Sequence, residues 1–356
     1  MIIFEKIYCK KYFASLTISI VSGLVTTAQK EMVDIVKEKN LNKIDVFVGQ
    51  KLFTSFFYPD TLEKPVLYPI YASNGTMITR GFPLHPLPGE PTDHPHHVGL
   101  WFNFENVNGL DFWNNSFAIP AEKKHLYGWI KTDRIIGTSN GDKGILSYHA
   151  NWVNQKNQVL LEETTTFEFS GTPHWRIIDR STTLKANIDV LFADAKDGML
   201  GLRVAHELQI PSTTDQKFTD DKGNVTIVKK STDSVANGNY LTSEGKQGDE
   251  AWSTRAVWCK MYGKMGTDSI SIIIIDHPGN PNYPTFWHAR GYGLFAANPL
   301  AEKIFTNGKS EKNLRLKKEE SVRFYYRIII HDGKETVPAK QIDKIAKDFS
   351  GMYPSH

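Results

Sequence analysis

Along residues 322–331 the apolar and aromatic side chains fall on every second position. Val322, Phe324, Tyr326, Ile328 and Ile330 make one face, and Arg323, Tyr325, Arg327, Ile329 and His331 make the other. A period of two marks an extended strand, whose successive side chains point to opposite sides. Similar runs, rich in β-branched and aromatic residues and bounded by turn residues, recur at 145–153, 159–169, 175–184 and 202–210. His206 and Glu207 read as polar positions in the middle of the last of these. Residues 44–57 read as strands turning at Gly49-Gln50-Lys51, and 270–275 is a strongly apolar run of strand length. Many short strands with few helical patterns predict an all-β chain, a large antiparallel β-sandwich. Two stretches read as helix. One is charged, over 29–42, and includes Met32, Ile35 and Val36. The other is a short C-terminal helix with Pro338 in its first turn and Ile342, Ile345 and Phe349 on one face. Residues 81–95 hold five prolines and two glycines, a density that only an extended loop tolerates. Residues 213–234 are polar and read as a surface loop or hairpin insertion.

The first 28 residues read as an address. Lys6, Lys10 and Lys11 precede a mostly apolar stretch over 12–25, and Thr26-Thr27-Ala28 offers the small residues of a signal-peptidase site. Cleavage is expected after Ala28, which predicts a periplasmic or secreted protein. The apolar stretch is short for a span of about 20 residues and no later run is longer, so no membrane span is expected once the leader is gone. The rest divides into a lead-in over 29–62 and one sandwich domain over 63–356. Without the leader the 42 basic and 39 acidic residues become 39 and 38. That near-neutral balance argues against nucleic acid as a partner. Cys259 is then the lone cysteine, which leaves no internal disulfide and no cysteine-based zinc site.

Two segments concentrate residues that do chemistry. Asp93-His94-Pro95-His96-His97 places three histidines in four positions at the end of a loop, and the strand signal Val98-Gly99-Leu100-Trp101-Phe102 follows at once. Histidine titrates nearest neutral pH and is the commonest metal ligand. Loop ends on a rigid scaffold are frequent binding sites. Residues 276–299 form the second segment, with Asp276, His277, Trp287, His288, Arg290, Tyr292 and Asn298 among prolines and glycines. The two segments are expected to converge as walls of one cleft.

The motifs His96-His97-Val98-Gly99-Leu100-Trp101-Phe102, Val107-Asn108-Gly109-Leu110-Asp111-Phe112-Trp113 and Trp287-His288-Ala289-Arg290-Gly291-Tyr292-Gly293-Leu294-Phe295-Ala296-Ala297-Asn298-Pro299 carry a resemblance. Together they resemble a bacterial domain of unknown function often labelled "methane oxygenase PmoA", over about residues 66–331. The resemblance implies a supersandwich similar to galactose mutarotases and other sugar-active domains, with a small-molecule carbohydrate as partner. The methane-oxidising subunit of that name is a multi-helix membrane protein, whereas this chain has one short apolar leader, so the activity in the label is discounted.

A mutarotase-like site needs an acid and a base on opposite sides of a sugar. His96, His97 and His288 are the candidate proton-transfer groups, with Glu244 as their carboxylate. Arg255 and Arg290 suit a carboxylate or a pair of hydroxyls, and Asn298 suits a ring hydroxyl. Trp101, Trp113 and Trp287 could stack on the sugar, or else pack in the core. No cofactor is expected. The alternative is a transition metal on His94, His96 and His97 with His288 or Asp276, although His96 and His97 would point to opposite faces if extended. No His-Glu-x-x-His, Gly-x-Ser-x-Gly or phosphate-cradling glycine motif is present. Three functions follow: a sugar epimerase, lyase or hydrolase using His/carboxylate acid–base chemistry, a non-catalytic sugar-binding module, or a metal-dependent oxygenase.

Overall fold

The computed structural model describes residues 29–38, 41–219, 222–230 and 235–354, so the leader expected over 1–28 lies outside the described residues. Among the described residues, two eight-stranded antiparallel sheets hold most of the strands. The first runs, edge to edge, through Val33–Lys37, Lys43–Val48, Lys51–Phe57, Val66–Ile70, Leu100–Phe104, Gly198–Arg203, Leu294–Asn298 and Phe286–Arg290. The second runs through Asn239–Thr242, Trp258–Met265, Asp268–Asp276, Ser321–Gly333, Trp175–Ala186, Val159–Thr172, Gly144–Val153 and Trp129–Ser139. Their inner faces meet ring to ring, Phe56 on Tyr148 at 4.6 Å and Phe102 on Phe324 at 5.4 Å between centroids. This is the all-β antiparallel sandwich that the alternation predicts. Fully burying side chains of this size contributes roughly 1.5–3 kcal/mol each.

The C-terminal helix, Ala339–Ser350, explains the apolar run at 270–275, in which only Ser271 is polar. Ile270, Ile272 and Ile274 face the core between the sheets, while Ile273 and Ile275 face Ile342, Ala346 and Phe349 of the helix. A strand covered on both sides has no polar face. Pro338 sits just ahead of the helix as its cap, and its carbonyl accepts the amides of Gln341 and Ile342.

Two local expectations are corrected. The charged stretch read as helix over 29–42 contains the strand Val33–Lys37, paired with Lys43–Val48. Val33 and Ile35 are its buried face, and Met32 and Val36 are left exposed. Period two therefore wins over the helical spacing once a neighbouring strand is available to pair. His206 and Glu207 lie in the 3-10 turn His206–Leu208, because the preceding strand ends at Arg203. Residues 216–228 do form a hairpin, Gln216–Thr219 against Val225–Val228, outside both large sheets.

Candidate functional site

The site lies on the outer face of the first sheet, where alternation sorts its last four strands. Phe102, Leu200, Phe295, Trp287 and Ala289 point into the core. The residues between them point outward. Register places Trp101 opposite Gly201, Gly201 opposite Ala296, and Ala296 opposite His288. This row has a large residue at one end, an imidazole at the other and two small residues between. A Cβ on Gly201 would come within 2.5 Å of Trp101 and 2.7 Å of Trp113, so only glycine lets the indoles lie flat there.

The proline-rich loop over 81–95 brings the histidines onto this floor, and two buried arginines fix it. The Arg80 guanidinium donates to the carbonyls of Asp93 (2.7 Å), His94 (3.0 Å) and His97 (3.2 Å). Arg203 donates to both oxygens of Asp93, at 2.9 and 2.8 Å. Arg80 also reaches Asp93 Oδ1 at 3.3 Å, and the neighbouring His94 places Nδ1 2.6 Å from Oδ2. The amide of His97 donates back to the carbonyl of His94 at 3.0 Å. Residues 94–97 therefore form a turn rather than an extended segment. The extended conformation that would send His96 and His97 to opposite faces is therefore not adopted, and their ring centroids lie 4.3 Å apart.

Opposite the turn, His288 Nδ1 lies 3.1 Å from Asp197 Oδ1, at an angle that falls short of a hydrogen bond. A proton on Nδ1 facing that carboxylate leaves Nε2 as the basic nitrogen. Asn298 is wholly buried and donates to the carbonyls of Ala195 and Lys196 at 3.0 and 2.8 Å. It is thus a positioning residue for the segment that carries Asp197. Between the two walls lies a cavity of about 220 Å³, lined by His94, His96, His97, His288, Asp197, Lys196, Arg290 and Tyr292 among others. The hairpin closes it from above with Thr219, Asn224, Val225 and Thr226. Lys222 at its tip reaches Asp111 at 3.2 Å, and Asn224 reaches the Tyr127 hydroxyl at 2.9 Å.

Burial pulls all four imidazoles below the ordinary histidine range, His96 and His97 furthest. They are neutral at pH 7 and able to accept a proton. Burial would raise the Asp197 carboxyl, but Lys196 and His288 outweigh it and hold it well below the usual carboxylate range. Glu105 goes the other way. Its Oε2 accepts the Asp197 amide at 2.9 Å, and burial together with the Asp197 charge pushes it well above the usual range. The pocket therefore has an ionised carboxylate behind one histidine, and that carboxylate's own amide is held by a second, weaker acid outside the lining.

The structure brings His96, His97, His288 and Arg290 to one cavity, and it places the other candidates elsewhere. Glu244 is exposed on the turn that follows the edge strand Asn239–Thr242 of the second sheet, where Ser243 Oγ donates to it at 3.2 Å. Its place as the carboxylate partner is taken by Asp197. Arg255 clamps a loop instead of lining the cavity, donating to the Asn282 carbonyl at 2.7 Å and packing on the Phe286 ring. Trp287 points into the core and donates to the Ala256 carbonyl. Trp101 and Trp113 are fully buried: Trp101 stacks beneath His97 at 5.2 Å, and Trp113 packs edge-on to both. The aromatic ring that does line the cavity is Tyr292, stacked on His94 at 4.9 Å.

The residues do not fit a metal centre. His94 and His97 stack face to face at 4.7 Å with 1° between their planes, so their nitrogens lie side by side rather than converging. His94 Nδ1 is engaged by Asp93, and the Arg203 guanidinium faces His97 Nδ1 at 3.4 Å. Asp276 is hydrogen-bonded to Asn280 and Thr285, away from the cavity lining. Among the described residues no group of three or more His, Cys, Asp or Glu has the arrangement of a metal site.

Asp197, Lys196, Tyr292 and the Asp93–Arg203–Arg80 cluster are missed by sequence reasoning. Asp197 lies just ahead of the strand Gly198–Arg203, outside any alternating run that would have assigned it a face. Arg80 and Asp93 had no signal either, because nothing local announces a buried ion pair.

Known proteins add the following. No curated protein matches the sequence. Solved structures similar to this chain include the Slr1438 protein of Synechocystis sp. PCC 6803, at 10% identity over 91% of this chain and 100% of that one, with a TM-score of 0.29. They also include the GH36 α-galactosidase AgaB of Geobacillus stearothermophilus, at 8% identity and a TM-score of 0.35, covering 85% of this chain and 41% of that one. A putative kojibiose phosphorylase from the human microbiome is similar at 7% identity and a TM-score of 0.27, covering 64% of this chain and 25% of that one. This chain thus spans less than half of each of the two sugar enzymes. The model of a family of unknown function, DUF6807, matches residues 43–347. The chain belongs to that family of unknown function, DUF6807.

Proposed function

We propose that this protein is a carbohydrate-active enzyme in which His288, backed by Asp197, and His96 carry out acid–base chemistry on one sugar ring. The observation that carries this reading is the neutral, carboxylate-backed His288 facing the His94–His97 turn across a single cavity. A base must be unprotonated to act, and burial keeps both imidazoles so at neutral pH. The His288 Nε2 lone pair is the base, and Asp197 stabilises the imidazolium that forms. His96 exchanges the second proton on the opposite side. The cavity is smaller than the roughly 300–1,000 Å³ of a drug-sized ligand pocket, which suits one small polar ring. Epimerisation, elimination and hydrolysis all use this pair of groups.

A purely binding module is the weaker reading, because Trp101, Trp113 and Trp287 are buried and give a sugar no exposed platform. An oxygenase reading lacks a converging donor set. The basic and apolar start of the chain supports export, so we place the activity in the periplasm or outside the cell.

The test is turnover of a panel of sugars and glycosides followed by proton NMR. His288→Asn is expected to lower the rate by about 10²–10⁴-fold while leaving binding nearly unchanged. The wild-type rate is expected to fall on the acid side as His288 takes up a proton. A rate insensitive to His288→Asn would overturn the assignment.

A further inference from the structure

The cavity that holds His96 and His288 shares a wall with a larger groove. The groove has a volume of about 520 Å³ and is lined by Glu105, Asn106, Asp194, Lys303, Ile304 and Asn307 among others. Lys196 and Thr219 line both spaces. The wall is the segment 194–197, with Asp197 lining the cavity and Asp194 lining the groove. Hydrogen bonds fix this segment along its length. The Ala195 amide donates to the Leu300 carbonyl at 3.1 Å, the Asp197 amide donates to Glu105 at 2.9 Å, and Asn298 donates to the carbonyls of Ala195 and Lys196. The opposite end of the cavity is different. There a recess lined by Trp252, Asp249 and Gly291 has just Arg290 in common with the cavity, and the Arg290 guanidinium stands over the Trp252 ring at 5.4 Å. Arg290 is a partition on that side, so a ligand that outgrows the cavity extends past Lys196 and Thr219.

One short helix, Glu302–Phe305, serves both spaces. Phe305 packs edge-on to His288 at 5.9 Å between centroids, and its neighbour Ile304 lines the groove with 46% of its surface exposed. Asn307 follows the helix at a φ of +53°, a conformation asparagine tolerates at a helix end, and the Gly308 amide closes back onto the Lys303 carbonyl at 2.7 Å. Asn106 is fixed through its carbonyl, which accepts the Ala193 amide at 3.1 Å, and through Oδ1, which accepts the Gly109 amide at 3.1 Å. Among the described residues, Asn106 Nδ2 and the Asn307 side-chain amide have no protein partner. A single exposed isoleucine means nothing alone. Beside two carboxamides that donate and accept, it matches the two aspects of a sugar, an apolar face of ring carbons and an edge of hydroxyls.

We propose that the groove is a second sugar subsite and that the substrate is a glycoside of at least two units. One ring lies between His96 and His288. The next lies on Ile304 with its hydroxyls at Asn106 and Asn307, and the linkage passes between Lys196 and Thr219. This rests on the sugar reading above and extends it. The cavity of about 220 Å³ suits one ring, whereas the groove lies within the roughly 300–1,000 Å³ of a ligand pocket. Contacts to the second unit then hold the reacting ring in place between the two histidines, as remote binding does in other enzymes.

The experiment is titration calorimetry of the whole protein with glucose and galactose, with cellobiose, maltose, laminaribiose, gentiobiose, lactose and melibiose, and with p-nitrophenyl glucoside. At least one disaccharide is expected to bind about tenfold or more tightly than the monosaccharides it contains. Ile304→Ala and Asn307→Gly, the latter chosen because glycine keeps the positive φ, are each expected to remove about threefold to tenfold of that advantage and to leave monosaccharide binding as it was. Wild-type-like melting of both variants excludes misfolding as the cause. A disaccharide advantage that survives both substitutions would overturn the groove as its source. Monosaccharides binding as well as every disaccharide would overturn the proposal, and His288-dependent turnover of a monosaccharide in that case would leave the proposed function intact. A groove-dependent disaccharide advantage without any His288-dependent turnover would uphold the subsite and sink the catalytic reading. The aryl glucoside matching the best disaccharide would assign the groove to an apolar group and overturn the second sugar. Absence of binding by all of these probes would overturn the two-unit assignment.

Discussion

The chain uses Asp-His-Pro twice, as Asp93-His94-Pro95 and as Asp276-His277-Pro278, and the two copies behave in opposite ways. Both aspartates are almost fully buried. Asp93 meets two guanidiniums, from Arg80 and Arg203, and these outweigh burial and hold its carboxyl well below the usual range. Asp276 meets the neutral donors Asn280 Nδ2 at 2.6 Å and the Thr285 amide at 2.7 Å, and burial pushes it up to about 7. His94 stacks on Tyr292 and lines the cavity. His277 accepts the Gly279 amide at 2.9 Å and packs against Tyr325, Phe349 and Tyr353 beneath the C-terminal helix. The tripeptide is therefore a turn-former in both places. Whether it becomes part of a site depends on which charges and how much open space the rest of the fold places beside it.

The sharpest way to break this comparison is to remove each carboxylate's charge. Asp93→Asn leaves Arg80 and Arg203 buried without their anion, and is expected to cost roughly 3–5 kcal/mol in urea unfolding. Asp276→Asn disturbs neutral hydrogen bonds, with an expected cost of roughly 1–3 kcal/mol. Equal losses would show that the arginines do not set Asp93 apart. The pH dependence sharpens the same contrast. Because the folded Asp93 is more acidic than the unfolded one, its contribution is present above about pH 4 and disappears as the pH falls. Because Asp276 titrates near 7 when folded against 3.8 as its ordinary value, the native state holds an extra proton between those values. Its contribution is full below about pH 4 and declines as the pH rises through 7. Melting between pH 4 and 8 is expected to fall more steeply with rising pH in the wild type than in Asp276→Asn, and parallel curves would refute the raised value. The smallest effect is expected at Glu244, the exposed carboxylate. Glu244→Gln is expected to change stability by no more than about 0.5 kcal/mol and to leave activity unchanged. A large loss of rate would return it to the site.

The fold was legible because its signal is local and repeated. Alternation at 322–331 is visible in ten residues, and the structure places Phe324, Tyr326, Ile328 and Ile330 in the core and Tyr325 and Ile329 under the helix. The same rule explains an error at the site. Trp287 and His288 are neighbours, so one of them had to point inward, and reading both as ligand contacts ignored the period. For His96 and His97 the period does not apply, because residues 94–97 form a turn. Residues 29–42 were misread because their charged residues and Met32, Ile35 and Val36 also fit a helix, and the strand that pairs with them decides the matter.

By itself, the sequence determined the strand pattern, the C-terminal helix and the two segments that carry the histidines, since each depends on residues a few positions apart. Tertiary structure alone decided which groups meet. Arg203 and Asp93 are 110 positions apart, and the pairing of His288 with Asp197 follows from how antiparallel strands are ordered across a sheet. Side-chain periodicity sets the face on which a residue lies, but carries no information about which distant residue shares that face. Charge, burial and pKa depend on that second fact, so the chemistry of the pocket appears only once the sheets are assembled.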